Sequence, residues 1–462
     1  MDASVLPHPL KRIGETVTAR LADGHLATVV RGAGLVMGIR IAGSAIALLS
    51  QVLLARWMGA FEYGIFAYVW VWVIILGILA PMGFGTSTLR FVPDYTINRK
   101  WRRLAGILDA SWRVVAVLGA AFMAVGLLAV LAFRNEIEPY YVLPLVLAML
   151  CVPGFALGDT LEGTARAFGW VGLAYLPAYI VRPLGIVLIG GLIYLFAGKL
   201  TGVAAVAGAL AATFATLAVQ RIVLSRRIAR TVPKAKPYLH TKYWIGASMP
   251  LVLAEGLYLV LLNTDIVLLG YFVDPDHVGI YFATTRIVNL IVFIYFAVAA
   301  LAVPKFSELH AAGDHDGLQR FVHNIIQWIF WPTLAAAAVI LLGGRFALGL
   351  FGQDFNAGFP LLAVLMLGFV ARASTGPIEY LLNMTGHQNI TSAVYGGAAA
   401  LNIGLNLVLV PQFGLMGAAA ATATALIGAS FCLFVIVRRR LGITAFVFGS
   451  GVRTPSISGE SK

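Results

Sequence analysis

Charged side chains interrupt stretches that otherwise hold almost only apolar residues, and through them this chain could do chemistry. The cations so placed are Arg40, Arg113, Arg182, Arg286 and Arg372, and the acids are Glu255, Asp265 and Glu379. A charge at the centre of a membrane helix costs about 2.5–3.5 kcal/mol on insertion scales, so such groups must face protein or water. Arginines gathered on a dry cavity wall suit an anionic ligand such as a phosphate or pyrophosphate, held by charge-assisted bidentate hydrogen bonds. Arg182 and Arg372 sit nearest mid-span, and with Arg286 and Arg40 they make the candidate substrate-binding set. The alternative for each is a pair with an acid on a neighbouring helix, or snorkelling to the surface. Arg40 and Arg113, near the ends of their spans, favour snorkelling.

The acids are the ion-coupling candidates. Glu255 and Asp265 share one expected helix, roughly 80° apart around it, and so could line one cavity wall. Their functional reading is coupling to Na+ or H+. Their structural reading is an ion pair with an arginine, favoured because arginines outnumber acids. Glu379 follows Pro377 in GPIEYLLNMTGHQ, where a broken helix can expose backbone to a cavity; both readings stay open there. Nothing points to soluble catalysis. Gly198-Lys199 is followed by Leu200 and lacks the earlier glycine of a P-loop, and there is no HExxH and no metal-spaced Cys/His cluster. No catalytic residue, cofactor or metal is expected, and an ATP-driven pump would need a nucleotide site from a partner.

The elements that must position these groups are membrane helices. Of 462 residues, 60% are hydrophobic and 11% charged, and the mean hydropathy is +0.89. No soluble core needs that, and the apolar runs are long enough to cross a hydrocarbon layer of about 30 Å as helices. Barrel strands would alternate in pieces of about ten residues. The net charge of +13 does not signal nucleic acid, because the Lys and Arg residues lie in short loops between spans. Cys151 and Cys432 fall inside spans and read as packed, reduced thiols. No cleavable signal peptide is expected, since the polar N-terminus runs through Arg31 and the first apolar run is too long for one.

Spans are expected near 33–55, 65–86, 112–133, 140–158, 171–197 and 201–224, and again near 244–272, 279–303, 323–344, 357–383, 389–411 and 415–437. The basic stretch from Arg221 to Lys242 divides them, and the two sides resemble each other. Tyr63-Gly64-Ile65-Phe66 aligns with Val278-Gly279-Ile280-Tyr281, and Arg90-Phe91-Val92-Pro93 with Ala302-Val303-Pro304-Lys305. The expected fold class is therefore all-α and polytopic, with about twelve transmembrane helices in two six-helix bundles related by a parallel repeat around a central cavity. The expected divisions are a 1–32 N-terminal segment, bundles at 33–224 and 244–437, a linker at 225–243, and a disordered tail at 438–462. Leu10, Ile13, Val17 and Leu21 allow an interfacial helix in the first segment; a mobile tail is the alternative.

Loop charge sets the expected orientation. Lys11, Arg12, Arg20 and Arg31, the cluster from Arg90 to Arg103, the linker and Arg438–Arg440 fall on one side. Only Arg56, Arg134, Lys199 and Arg345 fall on the other, a bias of roughly sixfold that places both termini in the cytoplasm. Asn402 and Asn406 can bond across helices, and GLMGAAAATATALIGAS allows close helix approach.

ARWMGAFEYGIFAY, the later RFVPDY, and TGHQNITSAVYGGAAALNIGLNLVLVPQFGLMGAAAATA resemble bacterial polysaccharide and O-antigen flippases (Wzx-like). These belong to the multidrug/oligosaccharidyl-lipid/polysaccharide (MOP) exporter superfamily, related to the MATE exporters. The likeness covers about residues 33–438. It rests on Leu54-Ala55-Arg56, Met58-Gly59 and Glu62-Tyr63-Gly64, and on the series Asn402, Asn406, Pro411, Gly414, Gly417, Ala418 and Ala419. The resemblance implies two bundles in a V, alternating access, and transport of undecaprenyl-pyrophosphate-linked sugars to the outer leaflet. It supplies no short substrate motif, so the site residues rest on charge alone. The expected partners are this lipid-linked oligosaccharide, membrane lipids, a coupling Na+ or H+, and a polysaccharide polymerase with its chain-length regulator.

Two rivals differ in chemistry. An ion-coupled multidrug exporter of the same superfamily would need an acidic cavity for organic cations, and here the intramembrane balance is cationic. A membrane glycosyltransferase or O-antigen polymerase would need a sizeable external loop, and all the outer loops are short. A major-facilitator transporter shares twelve spans, but TLRFVPDYTINRKWRR is unlike its basic loop.

Overall fold

The computed structural model describes residues 24–449, excepting the side chains of 24–33, 247, 249–255, 300 and 301. Helices account for nearly all of it, with no strand among the described residues. The first helix, α1, runs Gly24–Leu79 as two limbs that reverse at Gly59, whose φ of 75° and ψ of 173° only glycine holds without strain. The N-terminal half continues through α2 (Phe84–Ile97), α3 (Trp101–Ala132) and α4 (Pro139–Ala167). Then come α5 (Val171–Leu176), a π-helical turn (Pro177–Val181), α6 (Arg182–Ala197) and α7 (Gly202–Thr231). The C-terminal half holds α8 (Thr241–Phe272), α9 (Pro275–Ala311), α10 (His315–Gly349), a 3-10 turn (Gln353–Gly358), α11 (Phe359–Thr375) and α12 (Ile378–Met384). It ends with α13 (Gln388–Leu441), again two limbs, reversing at Gly414 with φ 55° and ψ −130°.

Among the described residues, nine helical stretches are long and apolar enough to cross a membrane. Two of them contain the reversals at Gly59 and Gly414 and so cross twice, and α8 adds a further crossing; this gives the twelve passes of two six-helix sets. The helices overrun the hydrophobic windows. The π-helical turn, α5 and α6 together make one pass, with Pro177 and Pro183 disturbing the backbone ladder on either side of Arg182.

One end of the molecule carries the 232–240 linker and is called the linker end; the end with Gly59 and Gly414 is the distal end. The halves join at the distal end through one apolar core that draws on both. Tyr63 is its hub, with ring centroids 5.8 Å from Phe282 and from Phe355, and its hydroxyl donates to Gln51 at 2.9 Å. Arg56 Nε donates to the Leu350 carbonyl across the seam at 2.6 Å. Glu62 accepts from the Gly202 amide at 2.6 Å, placing a carboxylate at the start of α7 where the helix dipole favours it. The motif residues around Arg56 and Glu62-Tyr63-Gly64 thus hold this end together.

One flank is zipped from end to end. Gly270 of α8 packs on Tyr68 and Gly256 on Leu79. Tyr243 then meets Phe91 at 5.7 Å, and Trp244 Nε1 donates to the Tyr95 hydroxyl at 3.1 Å. The linker is pinned at the same place by the Tyr238 amide, which donates to the Arg102 carbonyl at 2.9 Å.

Two expectations need adjustment. The tail expected to be disordered from 438 is ordered at its start: Arg438–Leu441 complete α13, and Ile443, Ala445 and Val447 are buried. Alternating apolar residues dock this strap, and Gln319 and Gln327 bond its backbone at Thr444 and Val447. Cys151 is buried, but Cys432 is exposed on α13. The 1–23 portion of the expected interfacial segment and residues 450–462 lie outside the described residues.

Candidate functional site

The first limb of α1, the π-helical turn with α6, and α9 surround a cavity of about 330 Å³ between the two halves, on the flank opposite the zipped one. Arg182 enters from the N-terminal half and Arg286 from the C-terminal half, with Ser44, Gln51, Tyr179 and Asn289 as polar neighbours. Arg182 stacks on Phe155 at 4.4 Å and Arg286 on Phe282 at 4.0 Å. Neither has an ion-pair partner within 4.0 Å among the described residues, and Arg286 Nε is buried without an acceptor. Two guanidinium groups held by aromatic faces, with no carboxylate in ion-pair contact among the described residues, can take an anion by charge-assisted hydrogen bonds.

Arg182 also lines a second cavity of about 280 Å³ inside the N-terminal half, with Asp159, Glu162, Thr213 and Gln220. Arg40 lies beside this region, 5.2 Å from the Tyr175 ring and 5.8 Å from that of Tyr179. Glu162 sits 4.0 Å from Arg166. Asp159 and Glu162 escaped the sequence reading because the apolar run stops at 158 while α4 continues to Ala167. The available signal was their spacing with Arg166 on one helical face.

The structure places Arg372 elsewhere. Its Nη2 donates to Glu379 at 2.7 Å, Nη1 donates to Tyr258, and its guanidinium lies 4.4 Å from the Tyr295 ring. Tyr295 donates to the same carboxylate. Arg372 and Glu379 are 7% and 6% exposed, so the pair is enclosed. The helix does break at Gly376-Pro377 as anticipated, but the break turns Glu379 back onto Arg372. Arg113 pairs with Asp109 at 2.9 Å on an exposed helix face.

Asp265 has no arginine within ion-pair distance. Its carboxylate accepts from Tyr281 at 2.5 Å and from Thr422 at 3.2 Å. Asn402 donates to Thr422, and Asn406 to Asn402, at 3.1 Å each. This is a buried oxygen-rich network between α8, α9 and α13. The Glu255 side chain lies outside the described residues. No metal-binding group of three His, Cys, Asp or Glu occurs among the described residues.

The fold is shared with known transporters. An inward-facing multidrug resistance MATE family transporter of the MOP superfamily superposes with a TM-score of 0.70, at 16% identity, over 88% of this chain and 98% of that one. The lipid II flippase MurJ in an inward closed conformation superposes with a TM-score of 0.68, at 14% identity, over 87% of each chain. The probable low-salt glycan biosynthesis flippase Agl15 of Haloferax volcanii is 24% identical over 160 residues, 34% of this chain and 34% of that protein. The match therefore spans about a third of that relative. The pattern of the polysaccharide biosynthesis protein family matches residues 29–310, more than half of the sequence, and the chain belongs to that family.

Proposed function

We propose that this protein is a transporter that flips an undecaprenyl-pyrophosphate-linked oligosaccharide from the inner to the outer leaflet of the cytoplasmic membrane. Its product would feed surface polysaccharide assembly as exopolysaccharide, capsule or O-antigen. The observation that carries the reading is the cavity lined by Arg182 and Arg286, one from each half, neither in an ion pair among the described residues. Family membership and the flippase names of MurJ and the haloarchaeal relative agree with it.

With both termini cytoplasmic, the distal end is the outer one, and the halves are closed there. The headgroup would enter from the cytoplasmic side on the unzipped flank, with the polyprenyl tail left in lipid. Arg182 and Arg286 would hold the pyrophosphate, and Arg40 would support the wall through Tyr179. Closure of the linker end and parting of the distal end, with residues 33–224 and 244–437 moving as two bundles, would complete alternating access. Asp265, with its hydroxyl and amide oxygens, is the coupling group of choice for Na+ or H+. Arg372 and Glu379 would brace the C-terminal bundle. No step requires catalysis by the chain; a polymerase and chain-length regulator would consume the product.

The test is to delete the gene and follow surface polysaccharide and lipid-linked intermediates together, with and without complementation. Loss of polymer with intermediates stranded on the cytoplasmic leaflet is the expected result. Intermediates that reach the outer leaflet unpolymerised would mark a polymerase instead. Unchanged pools with dye efflux would mark a multidrug exporter.

A further inference from the structure

Among the described residues, four cations fall in the loops and helix ends of the distal end, Arg56, Arg134, Lys199 and Arg345, and two of them share a cleft. Arg56, on the first limb of α1, and Arg345, on α10, line one cleft of about 810 Å³ at the seam between the halves. That volume lies within the range of small-molecule sites, about 300–1,000 Å³. Gln353 and Asn356 of the 3-10 turn line the same cleft. Arg56 is oriented through Nε, bonded to the Leu350 carbonyl at 2.6 Å, which leaves its terminal nitrogens unspent. Arg345 rests 5.3 Å from the Phe359 ring. Neither arginine has an ion-pair partner among the described residues. The Asn356 side-chain oxygen is buried without a donor.

From this convergence we infer a second ligand site at the distal seam, built for a phosphate ester that carries hydroxyls. The guanidinium groups take the phosphate oxygens, and the Asn356 oxygen accepts from a hydroxyl. The inference rests on the flippase reading, in which the cleft receives the sugar-phosphate headgroup as it leaves Arg182 and Arg286. An outer-leaflet phospholipid headgroup has the same chemistry.

The test uses the full chain in phosphatidylcholine nanodiscs, titrated calorimetrically with glucose 1-phosphate. Arg182→Gln/Arg286→Gln removes the central site and should leave one saturable site. Adding Arg345→Gln should weaken that site about tenfold. Asn356→Asp, which sets a negative charge beside the phosphate in a chain that keeps both arginines, should weaken it as well. Absence of residual binding, or residual binding indifferent to both substitutions, overturns the proposal. Suppression of binding by phosphatidylglycerol in the nanodisc identifies a lipid headgroup as the occupant; binding that persists identifies the substrate's sugar-phosphate. Failure of the flippase reading shows separately, as translocation that survives Arg182→Gln/Arg286→Gln.

Discussion

Gly64 and Gly279, equivalent positions of the two half-chains, lie against each other where α1 crosses α9 at the distal end. A Cβ on Gly279 would lie 3.1 Å from the Gly64 nitrogen and 2.6 Å from the Ala60 carbonyl oxygen, and one on Gly64 would lie inside van der Waals contact of the Pro275 carbonyl. Backbone therefore touches backbone across the repeat axis, and any side chain pushes the halves apart. Gly279→Val should shift the protein toward a state open at the distal end, with overpacking costs of about 1–3 kcal/mol. In a Cys432→Ser background, Ser44→Cys should then react faster with a membrane-impermeant thiol reagent added from the distal side. An unchanged rate would contradict this role for the crossing.

Arg372 and Glu379 are predicted to matter for stability. Removing one partner strands a buried charge, so Arg372→Ala should cost about 3–5 kcal/mol, whereas Arg372→Met/Glu379→Leu should cost much less. Thermal unfolding in detergent of Arg372→Met, Glu379→Leu and the double gives the coupling directly. Additive losses would show that the pair is not a unit.

Docking of the strap from Gly442 to Gly449 predicts a second stability effect. Ile443 and Val447 are each 2% exposed and Ala445 is fully buried. Truncation after Leu441 should therefore lower stability by on the order of 3 kcal/mol. A melting temperature equal to that of the full chain would mean that the strap contributes nothing.

Asp265→Asn should abolish any dependence of transport on a sodium or proton gradient while leaving anion binding at Arg182 and Arg286 in place. Asp265 is hydrogen-bonded to Tyr281 and Thr422 and makes no ion pair with an arginine, so its neutralisation removes no direct partner of the cavity arginines. Gradient-driven transport by the variant at the wild-type rate would remove Asp265 from coupling.

Much of the fold was legible because membrane spans announce themselves by hydropathy. Gly59 and Gly414, singled out as motif glycines, turned out to be the reversals that only a residue without Cβ makes cheaply. That arginines sit inside apolar spans was legible from charge, but which of Arg40, Arg182, Arg286 and Arg372 line the cavity between the halves was not. Other parts were not, for physical reasons. Asp159 and Glu162 ride on a helical turn that outruns its apolar run. Arg372 and Glu379 meet because a broken helix turns one way rather than the other, which composition does not encode. Asp265 and Thr422 are 157 positions apart, and only packing of the C-terminal half brings them together.

The most direct measurement is headgroup translocation in proteoliposomes carrying a polyprenyl-pyrophosphate oligosaccharide, read by accessibility to an externally added glycosidase. Wild-type protein should expose the headgroup well above the rate of empty liposomes. Arg182→Gln/Arg286→Gln, confirmed as folded by its melting temperature, should lose more than about tenfold of that rate. Translocation by the double variant at the wild-type rate, or none by the wild type, would contradict a flippase that works through this cavity.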